Sequence, residues 1–206
     1  MRAPDQKIYL ASKSPRRREL LRQIGVDFEL LLLRDQSPRG PEVDESPLPD
    51  EPADTYVARV TKEKAVCAER MMFLRKLPIR PILAADTSVI VDGHILGKPA
   101  DTAEAVRMLS LLSGRSHQVL TCVVVQHEGK TAQAIQTSTV SFSTLSIQTI
   151  VAYCAGAEPY DKAGGYGIQG QAALFIREIT GSYSGIMGLP LFETAQLLLQ
   201  VGRRIL

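Results

Sequence analysis

The stretch Ile82–Val91 constrains the fold of this chain most, because it is the strongest strand pattern in the sequence. Its apolar run is interrupted by Asp86, Thr87 and Ser88. A carboxylate inside a buried apolar strand is costly unless it is paired or coordinated. Asp86 is therefore a candidate functional residue, with a structural salt bridge as the alternative.

The dipeptide Asp92-Gly93 directly after this strand predicts a type I′ turn and hence a β-hairpin. The returning strand leads to Lys98. Counted from the turn, a regular ladder places Thr87 opposite Lys98, with Asp86 one residue away. The hairpin is thus expected to bring a cation close to the carboxylate.

A helix start with unusual charge lies near the N-terminus, in residues 12–18. Ser14 has the N-cap position and Pro15 the first helical position, a combination typical of helix starts. The first turn carries three arginines, although the helix dipole favours an anion there. Hydroxyls, backbone N–H groups and guanidinium groups in one place suit a bound phosphate. The alternative is a solvated basic helix start.

An amphipathic pattern predicts a helix from an N-cap at Asp54 to the neighbourhood of Lys76. Lys64 falls on its apolar stripe, so the ammonium must either extend to solvent or meet an anion. Before this helix, residues 34–53 form a proline-rich polar loop. Its Asp44-Glu45 pair is either a ligand for a metal or a water, or part of a solvated loop.

The remaining patterns complete an α/β chain that opens with a βαβ unit. Residues 158–170 include four glycines, with Asp161, Lys162 and Gln169 as polar partners. Such a segment allows close backbone approach, but its spacing matches neither a P-loop nor a dinucleotide-binding turn. Further strands are predicted at residues 8–11, 26–33, 117–126, 131–143 and 174–179, and further helices after Ser14, at residues 102–112, after Ser146 and from Pro190.

The charge balance argues against nucleic acid as a partner. The net charge is +2 and aromatic residues make up 5% of the chain, so an extended basic surface is not expected. The polar N-terminus and the short apolar runs predict a cytoplasmic protein without a membrane segment. Three widely spaced cysteines, Cys67, Cys122 and Cys154, are expected to be buried and reduced.

Several separated motifs resemble one known family. In order they are Ser-x-Ser-Pro-Arg-Arg at residues 12–17, Glu45 after Val43-Asp44, Lys-Glu-Lys-Ala at 62–65, Ala-Asp-Thr at 85–87, Leu-Gly-Lys-Pro at 96–99, Asp-Lys-Ala-Gly at 161–164 and Tyr-Gly-Ile-Gln-Gly at 166–170. Together they resemble the Maf family of nucleoside triphosphate pyrophosphatases, from residue 8 to the C-terminal helix. The resemblance implies a single domain over residues 1–206. It also implies an elongated mixed twisted sheet with flanking helices and two lobes around a central cleft, similar to inosine triphosphate pyrophosphatase.

Within that family, Arg16, Thr87 and Gln169 resemble the branch that acts on dTTP and UTP. The branch preferring 7-methyl-GTP resembles Ser-Asp-Gln, where this chain has Ala-Asp-Thr at 85–87. The implied reaction hydrolyses the α–β phosphoanhydride and releases a monophosphate and pyrophosphate; modified pyrimidine triphosphates are further expected substrates. The chain departs from the family at Ala84, where Gly is common, and in the longer 34–53 loop, which leaves Glu45 less well placed than Asp86.

The resemblance implies a role for each candidate residue. Asp86 is the expected proton acceptor for the attacking water. Oxygen ligands and phosphate chemistry favour Mg²⁺ or Mn²⁺ over Zn²⁺. The expected binding partner is a small-molecule nucleoside triphosphate. A homodimer is a further possibility that the sequence does not decide. Phosphate binding is expected from Ser12, Arg16, Arg17, Lys64, Lys98 and Lys162, base selection from Arg16, Thr87 and Gln169, and metal binding from Glu45 and Asp86.

A rival interpretation is a non-catalytic, nucleotide-binding regulator of cell division, because the family was first named for an effect on septum formation. Such a regulator needs phosphate donors but no carboxylate beside them. The acids Glu45 and Asp86 therefore favour the enzyme.

Overall fold

The computed structural model describes residues 6–33 and 43–205, and its strands form one seven-stranded mixed sheet. The strands are β1 (Ile8–Leu10), β2 (Phe28–Leu30), β3 (Ile82–Val91), β4 (His94–Leu96), β5 (Ser116–His127), β6 (Lys130–Phe142) and β7 (Ile176–Thr180). Their order is β2-β1-β3-β5-β6-β7, and β4 pairs with β3 outside this path. β1 is parallel to β2 and β3, and the other pairs are antiparallel.

Helices flank this sheet, so the predicted mixed α/β fold is confirmed. They are α1 (Pro15–Gln23), α2 (Ala53–Leu74), α3 (Thr102–Leu112), α4 (Ile147–Cys154), α5 (Tyr183–Ile186) and α6 (Leu191–Gln200). The helix starts largely follow local sequence, as predicted. Ser14 accepts a hydrogen bond from the Arg17 N–H, Ser146 accepts one from the Thr149 N–H, and α6 begins directly after Pro190.

Two predicted boundaries were wrong. Helix α2 starts at Ala53, after Pro52, and has no side-chain cap. Asp54 lies inside the first turn, where its carboxylate accepts from the Thr55 N–H and suits the positive end of the helix dipole. The predicted strand at 174–179 starts late because Gln171–Phe175 forms a 3₁₀ turn. The first part of the predicted 34–53 loop, residues 34–42, lies outside the described residues.

Strand β3 sends successive side chains to opposite faces of the sheet. Leu83 and Ala85 belong to a core that includes residues of α1 and α6. The alternate positions face the core built on α2, through Ile82, Ala84 and Ile90. The next two residues after Ala85 therefore diverge: Asp86 faces α2 and Thr87 faces α1.

One edge of β3 is left without a partner strand along residues 84–88. β1 pairs with β3 at Ile82 and Leu83, and β4 pairs with it from Val89 onward. On the other edge, β5 pairs continuously from Ile82 to Ile90. Within the described residues, no strand fills the gap between β1 and β4. This gap lies at the carboxyl end of β1, where ligands of open α/β sheets commonly bind.

The hairpin after β3 has the predicted turn, with φ of 50° at Asp92 and 78° at Gly93. The predicted pairing of Thr87 with Lys98 is wrong, because β4 ends at Leu96. Beyond that point the carbonyl of Gly97 accepts a hydrogen bond of 2.9 Å from the N–H of Gly164. The chain thus leaves β3 to join the glycine-rich segment.

The expectation of buried cysteines holds for two of the three. The three cysteines, all within the described residues, form no disulfide; Cys122 and Cys154 are buried and Cys67 is half-buried. Burial raises the pKa of the Cys122 thiol to about 11, so it stays protonated at neutral pH. No helix in the part of the chain that the structure describes is long and apolar enough to span a membrane.

Candidate active site

A cavity of about 880 Å³ lies at the unpaired edge of β3. Its walls come from the start of α1, the segment 43–46, the middle of α2 and the glycine-rich segment. The volume is in the range of small-molecule sites. Gln169 is exposed and does not line the cavity, although its neighbour Ile168 does. The other sequence-predicted residues all line it: Ser12, Arg16, Arg17, Glu45, Lys64, Asp86, Thr87, Lys98 and Lys162.

A cluster of three charged side chains forms one wall of the cavity. The Nζ of Lys64 lies 2.6 Å from Oδ1 of Asp86 and 3.0 Å from Oε1 of Glu45. The side chains of Lys64 and Asp86 are only 13% and 15% exposed, whereas that of Glu45 is 53% exposed. Lys64 therefore meets anions rather than extending to solvent. The pairing also compensates the charge that Asp86 carries into the strand.

Arg17 extends from α1 along the cavity wall and is held by three hydrogen bonds. Its Nη1 donates to Ser12 Oγ at 3.1 Å, its Nε to the Gly188 carbonyl at 2.7 Å, and its Nη2 to Thr87 Oγ1 at 3.1 Å. Burial lowers the pKa of Arg17, while the charge of Asp86 opposes that shift. A guanidinium has five N–H donors, so two remain for a ligand.

The remaining cations come from both sides of the cavity. Arg16 Nη2 lies 3.5 Å from Oδ2 of Asp161, and Lys162 Nζ contacts Oδ1 of the same carboxylate. Burial by itself would raise the pKa of Asp161, but the hydrogen bond from Lys162 and the nearby positive charges lower it below its usual value. Lys162 also donates to the Glu158 carbonyl at 2.7 Å. Lys98 is exposed at the cavity and, among the described residues, has no ion-pair partner.

A comparison with known protein families identifies the family to which this chain belongs. The family model described as Maf-like protein matches residues 7–201, nearly the whole chain. The chain belongs to the Maf family. The resemblance read from the motifs is thereby confirmed.

Curated relatives of this Maf protein match it over almost their full length. A protein of Nitrosomonas europaea named dTTP/UTP pyrophosphatase is 52% identical over 195 residues, which cover 95% of this chain and 94% of the relative. A protein of Ralstonia nicotianae with the same name is 55% identical over 199 residues, which cover 96% and 95%. Among solved structures, that of the Staphylococcus aureus Ham1 protein aligns with a TM-score of 0.42 and 14% identity, over 66% of this chain and 71% of that one.

Glu158 organises the glycine-rich segment of this Maf protein, and sequence patterns did not identify it. Its carboxylate accepts hydrogen bonds from the N–H of Gln171 at 2.9 Å, the N–H of Ala172 at 3.5 Å and the hydroxyl of Tyr153 at 3.0 Å. A Cβ on Gly170 would overlap this carboxylate. The segment is therefore folded around Glu158, through partners that no short-range spacing rule relates.

Tyr56 and Arg59 of α2 hold the segment that carries Glu45, and sequence patterns missed them as well. The Tyr56 hydroxyl donates to the Glu45 carbonyl at 2.8 Å. Burial, followed by nearby carboxylates, raises the pKa of Tyr56 to about 12, so the hydroxyl keeps its hydrogen. Arg59 donates to the Ser46 carbonyl at 3.0 Å and to both oxygens of Glu51 at 2.7 and 2.8 Å. Helix α2 thus presents Lys64 and also positions the backbone of Glu45.

Carboxylate ligands for a divalent cation are present but few. Within residues 6–33 and 43–205, no group of three or more His, Cys, Asp or Glu side chains could hold a metal ion. Glu45 and Asp86 nevertheless meet at the Nζ of Lys64. Mg²⁺ is commonly bound by one or two carboxylates together with substrate phosphates. The donor set therefore fits Mg²⁺ or Mn²⁺ shared with a triphosphate, rather than a site built from protein ligands alone.

Proposed function

We propose that this Maf protein is a nucleoside triphosphate pyrophosphatase that hydrolyses dTTP and UTP to the monophosphate and pyrophosphate. Relatives about half identical in sequence carry the name dTTP/UTP pyrophosphatase. The observation that carries the proposal is the 2.6 Å contact between Asp86 and Lys64 in a cavity lined by further cations. Hydrolysis requires a carboxylate beside the phosphate-binding groups, whereas a nucleotide sensor does not require one.

In the proposed reaction, Asp86 accepts a proton from the water that attacks the α-phosphorus. The bond between the α-phosphorus and the bridging oxygen breaks, and pyrophosphate leaves with the negative charge. Lys64 orients the Asp86 carboxylate through their hydrogen bond. Because the two side chains come from α2 and β3, helix packing on the sheet fixes their relative position.

The cations on the other walls serve the phosphates. Arg16, Lys98 and Lys162 surround the cavity beside the first turn of α1, whose backbone N–H groups favour an anion. Ser12 and the two uncommitted N–H groups of Arg17 complete the proposed phosphate site. Their role is to offset the charge of the bound triphosphate and the charge that develops on the leaving pyrophosphate.

A divalent cation is the proposed cofactor, held by Glu45 and Asp86 beside the phosphates. When bound, it neutralises phosphate charge and acts as a Lewis acid on a phosphoryl oxygen. The fit of the donor set supports Mg²⁺ or Mn²⁺. Tyr56 keeps the Glu45 backbone in reach of that position through its 2.8 Å hydrogen bond.

Arg16, Thr87 and Gln169 are the proposed selectors of the base. Arg16 and Thr87 line the cavity, and Gln169 directly follows the lining residue Ile168. We further propose that residues 1–206 act as one domain, since a single sheet runs through the described residues. Modified pyrimidine triphosphates as substrates and a cytoplasmic location remain predictions from the sequence.

The test is pyrophosphate release from dTTP, UTP, dATP, GTP and 7-methyl-GTP with Mg²⁺ or Mn²⁺. We expect kcat/KM for dTTP and UTP to exceed the other values by at least about tenfold. Faster cleavage of 7-methyl-GTP than of dTTP would contradict the proposed branch. Nucleotide binding without any turnover would favour the regulator of cell division.

A further inference from the structure

Thr121 lies behind Thr87, outside the lining of the cavity. The two residues are directly opposite each other in the antiparallel β3–β5 ladder, and Thr121 is fully buried. Their hydroxyl oxygens are 3.0 Å apart. Thr121 Oγ1 is also 2.7 Å from the carbonyl oxygen of Gly185. A continuous chain of hydrogen bonds therefore runs from Arg17 through both threonines to Gly185.

The direction of each bond in this chain is fixed by counting hydrogens. A threonine hydroxyl has one hydrogen to donate and two lone pairs to accept. The carbonyl of Gly185 can only accept a hydrogen bond, so Thr121 donates its hydroxyl hydrogen to that carbonyl. Thr87 must then donate its own hydrogen to Thr121. Arg17 can only donate, so its Nη2 occupies one lone pair of Thr87.

Thr87 consequently presents a single lone pair, and no hydrogen, to the cavity that it lines. A phosphate oxygen or a base carbonyl brings only lone pairs and would be repelled there. A ligand group that fits must be a donor. On a uracil or thymine nucleotide the fixed donor is the imide N3–H, whereas cytosine carries a lone pair at the same position. Sugar hydroxyls rotate and accept either polarity, so a fixed acceptor would not select among them.

We propose that Thr121 is a specificity-determining positioning residue: it fixes the Thr87 hydroxyl as a pure acceptor for the imide N3–H of uracil and thymine. This inference rests on the proposed function, since it assumes that Thr87 faces the base. Replacing Thr121 with valine keeps the shape but removes the acceptor for the Thr87 hydrogen. The freed hydrogen can then turn toward the cavity and donate to N3 of cytosine.

The experiment measures kcat/KM for UTP, CTP and N3-methyl-UTP on the full chain with Mg²⁺. In Thr121→Val we expect the UTP-to-CTP ratio to fall about tenfold, because the Thr87 hydroxyl can then also form a matched hydrogen bond with N3 of cytosine. Thr121→Ser keeps the hydroxyl and should retain the wild-type ratio. Thr194→Val is the matched control: Thr194 is fully buried on α6, and its hydroxyl has no hydrogen-bond partner among the described residues. Its ratio should not change.

A second measurement does not depend on the folding of Thr121→Val. The wild type should cleave N3-methyl-UTP at least about tenfold less efficiently than UTP, and this difference should shrink to within about threefold in Thr87→Val, where the acceptor is gone. Equal cleavage of the two nucleotides by the wild type would overturn the inference. So would an unchanged UTP-to-CTP ratio in a folded, active Thr121→Val variant. A wild type that releases pyrophosphate from neither UTP nor dTTP overturns the proposed function, and this inference with it.

Discussion

The Nζ of Lys64 lies 2.6 Å from Oδ1 of Asp86, with both side chains largely shielded from solvent. The ammonium also reaches Glu45 at 3.0 Å, so one cation holds two acids in the cavity wall. The hydrogen bond from Lys64 holds the Asp86 carboxylate in one orientation. This contact connects Asp86, the proposed proton acceptor, with helix α2, which carries Lys64. The first two predictions test it.

Replacing Asp86 with asparagine should lower pyrophosphate release from dTTP about 100-fold or more, because the amide cannot accept the proton from water. The matched control is Asp92→Asn, on the hairpin turn after the same strand. Asp92 has a φ of 50°, which asparagine tolerates, and its exposed carboxylate pairs with Arg115. Activity of that variant should stay within about twofold of the wild type, since it does not line the cavity. Substantial activity in Asp86→Asn would rule out this residue as the base.

Replacing Lys64 with methionine should destabilise the fold, because it leaves Asp86 buried without its partner. In a double-mutant cycle, Asp86→Asn should then lower the free energy of unfolding by about 1–3 kcal/mol less in the Lys64→Met background than in the wild type. Denaturant unfolding measures all four proteins. The same cycle on the exposed pair of Lys7 and Glu29, 3.3 Å apart, should give a coupling below about 1 kcal/mol. Equal couplings for the two pairs would contradict the importance of burial.

Alanine at Gly164 should destabilise the protein more than alanine at Gly25. Both glycines have nearly the same positive φ, +69° and +71°, so both substitutions meet the same backbone strain. A Cβ on Gly164 would lie 2.9 Å from Cγ1 of Val89, whereas one on Gly25 would have nothing within 4 Å. We expect a difference of about 1–3 kcal/mol in the free energy of unfolding. Equal losses would show that the glycine-rich segment has room to move away from β3.

Stability should fall as the pH drops from about 6.5 to about 4, through His117. Burial lowers the pKa of His117 from 6.5 to about 4, and its Nε2 lies 2.6 Å from the Tyr166 hydroxyl. In that range the unfolded chain binds a proton that the folded chain excludes, so unfolding is favoured, by up to about 3 kcal/mol at the acid end. Unfolding measured against pH should show a shallower slope in His117→Gln than in the wild type.

The matched comparison for that slope is Gln118→Asn, which changes an exposed, non-titrating side chain at the next position of the same strand β5. It should keep the wild-type dependence on pH. A His117→Gln slope identical to that of the wild type would exclude His117 as the titrating group.

Local hydrogen bonds and short-range periodicity explain why much of the fold could be predicted. The start of α1 depends on Ser14 and Pro15, which act within one helical turn. The β3 bounds and the turn at Asp92 follow from an apolar run and from two residues that accept positive φ. The predicted start of α2 was wrong because the helix begins directly after Pro52 and has no N-cap side chain.

By itself the sequence determined which chemical groups the site contains, because their motifs lie on elements that local forces define. Asp86, Lys64 and the arginines of α1 were identified without coordinates. Only the tertiary structure decided which groups meet. It placed Lys64 against both acids, and it moved Lys98 out of the ladder. It also left Gln169 outside the cavity lining and backed Thr87 with Thr121. These contacts join residues 19 or more positions apart through the packing of helices on one sheet, and no periodicity along the chain encodes such distances.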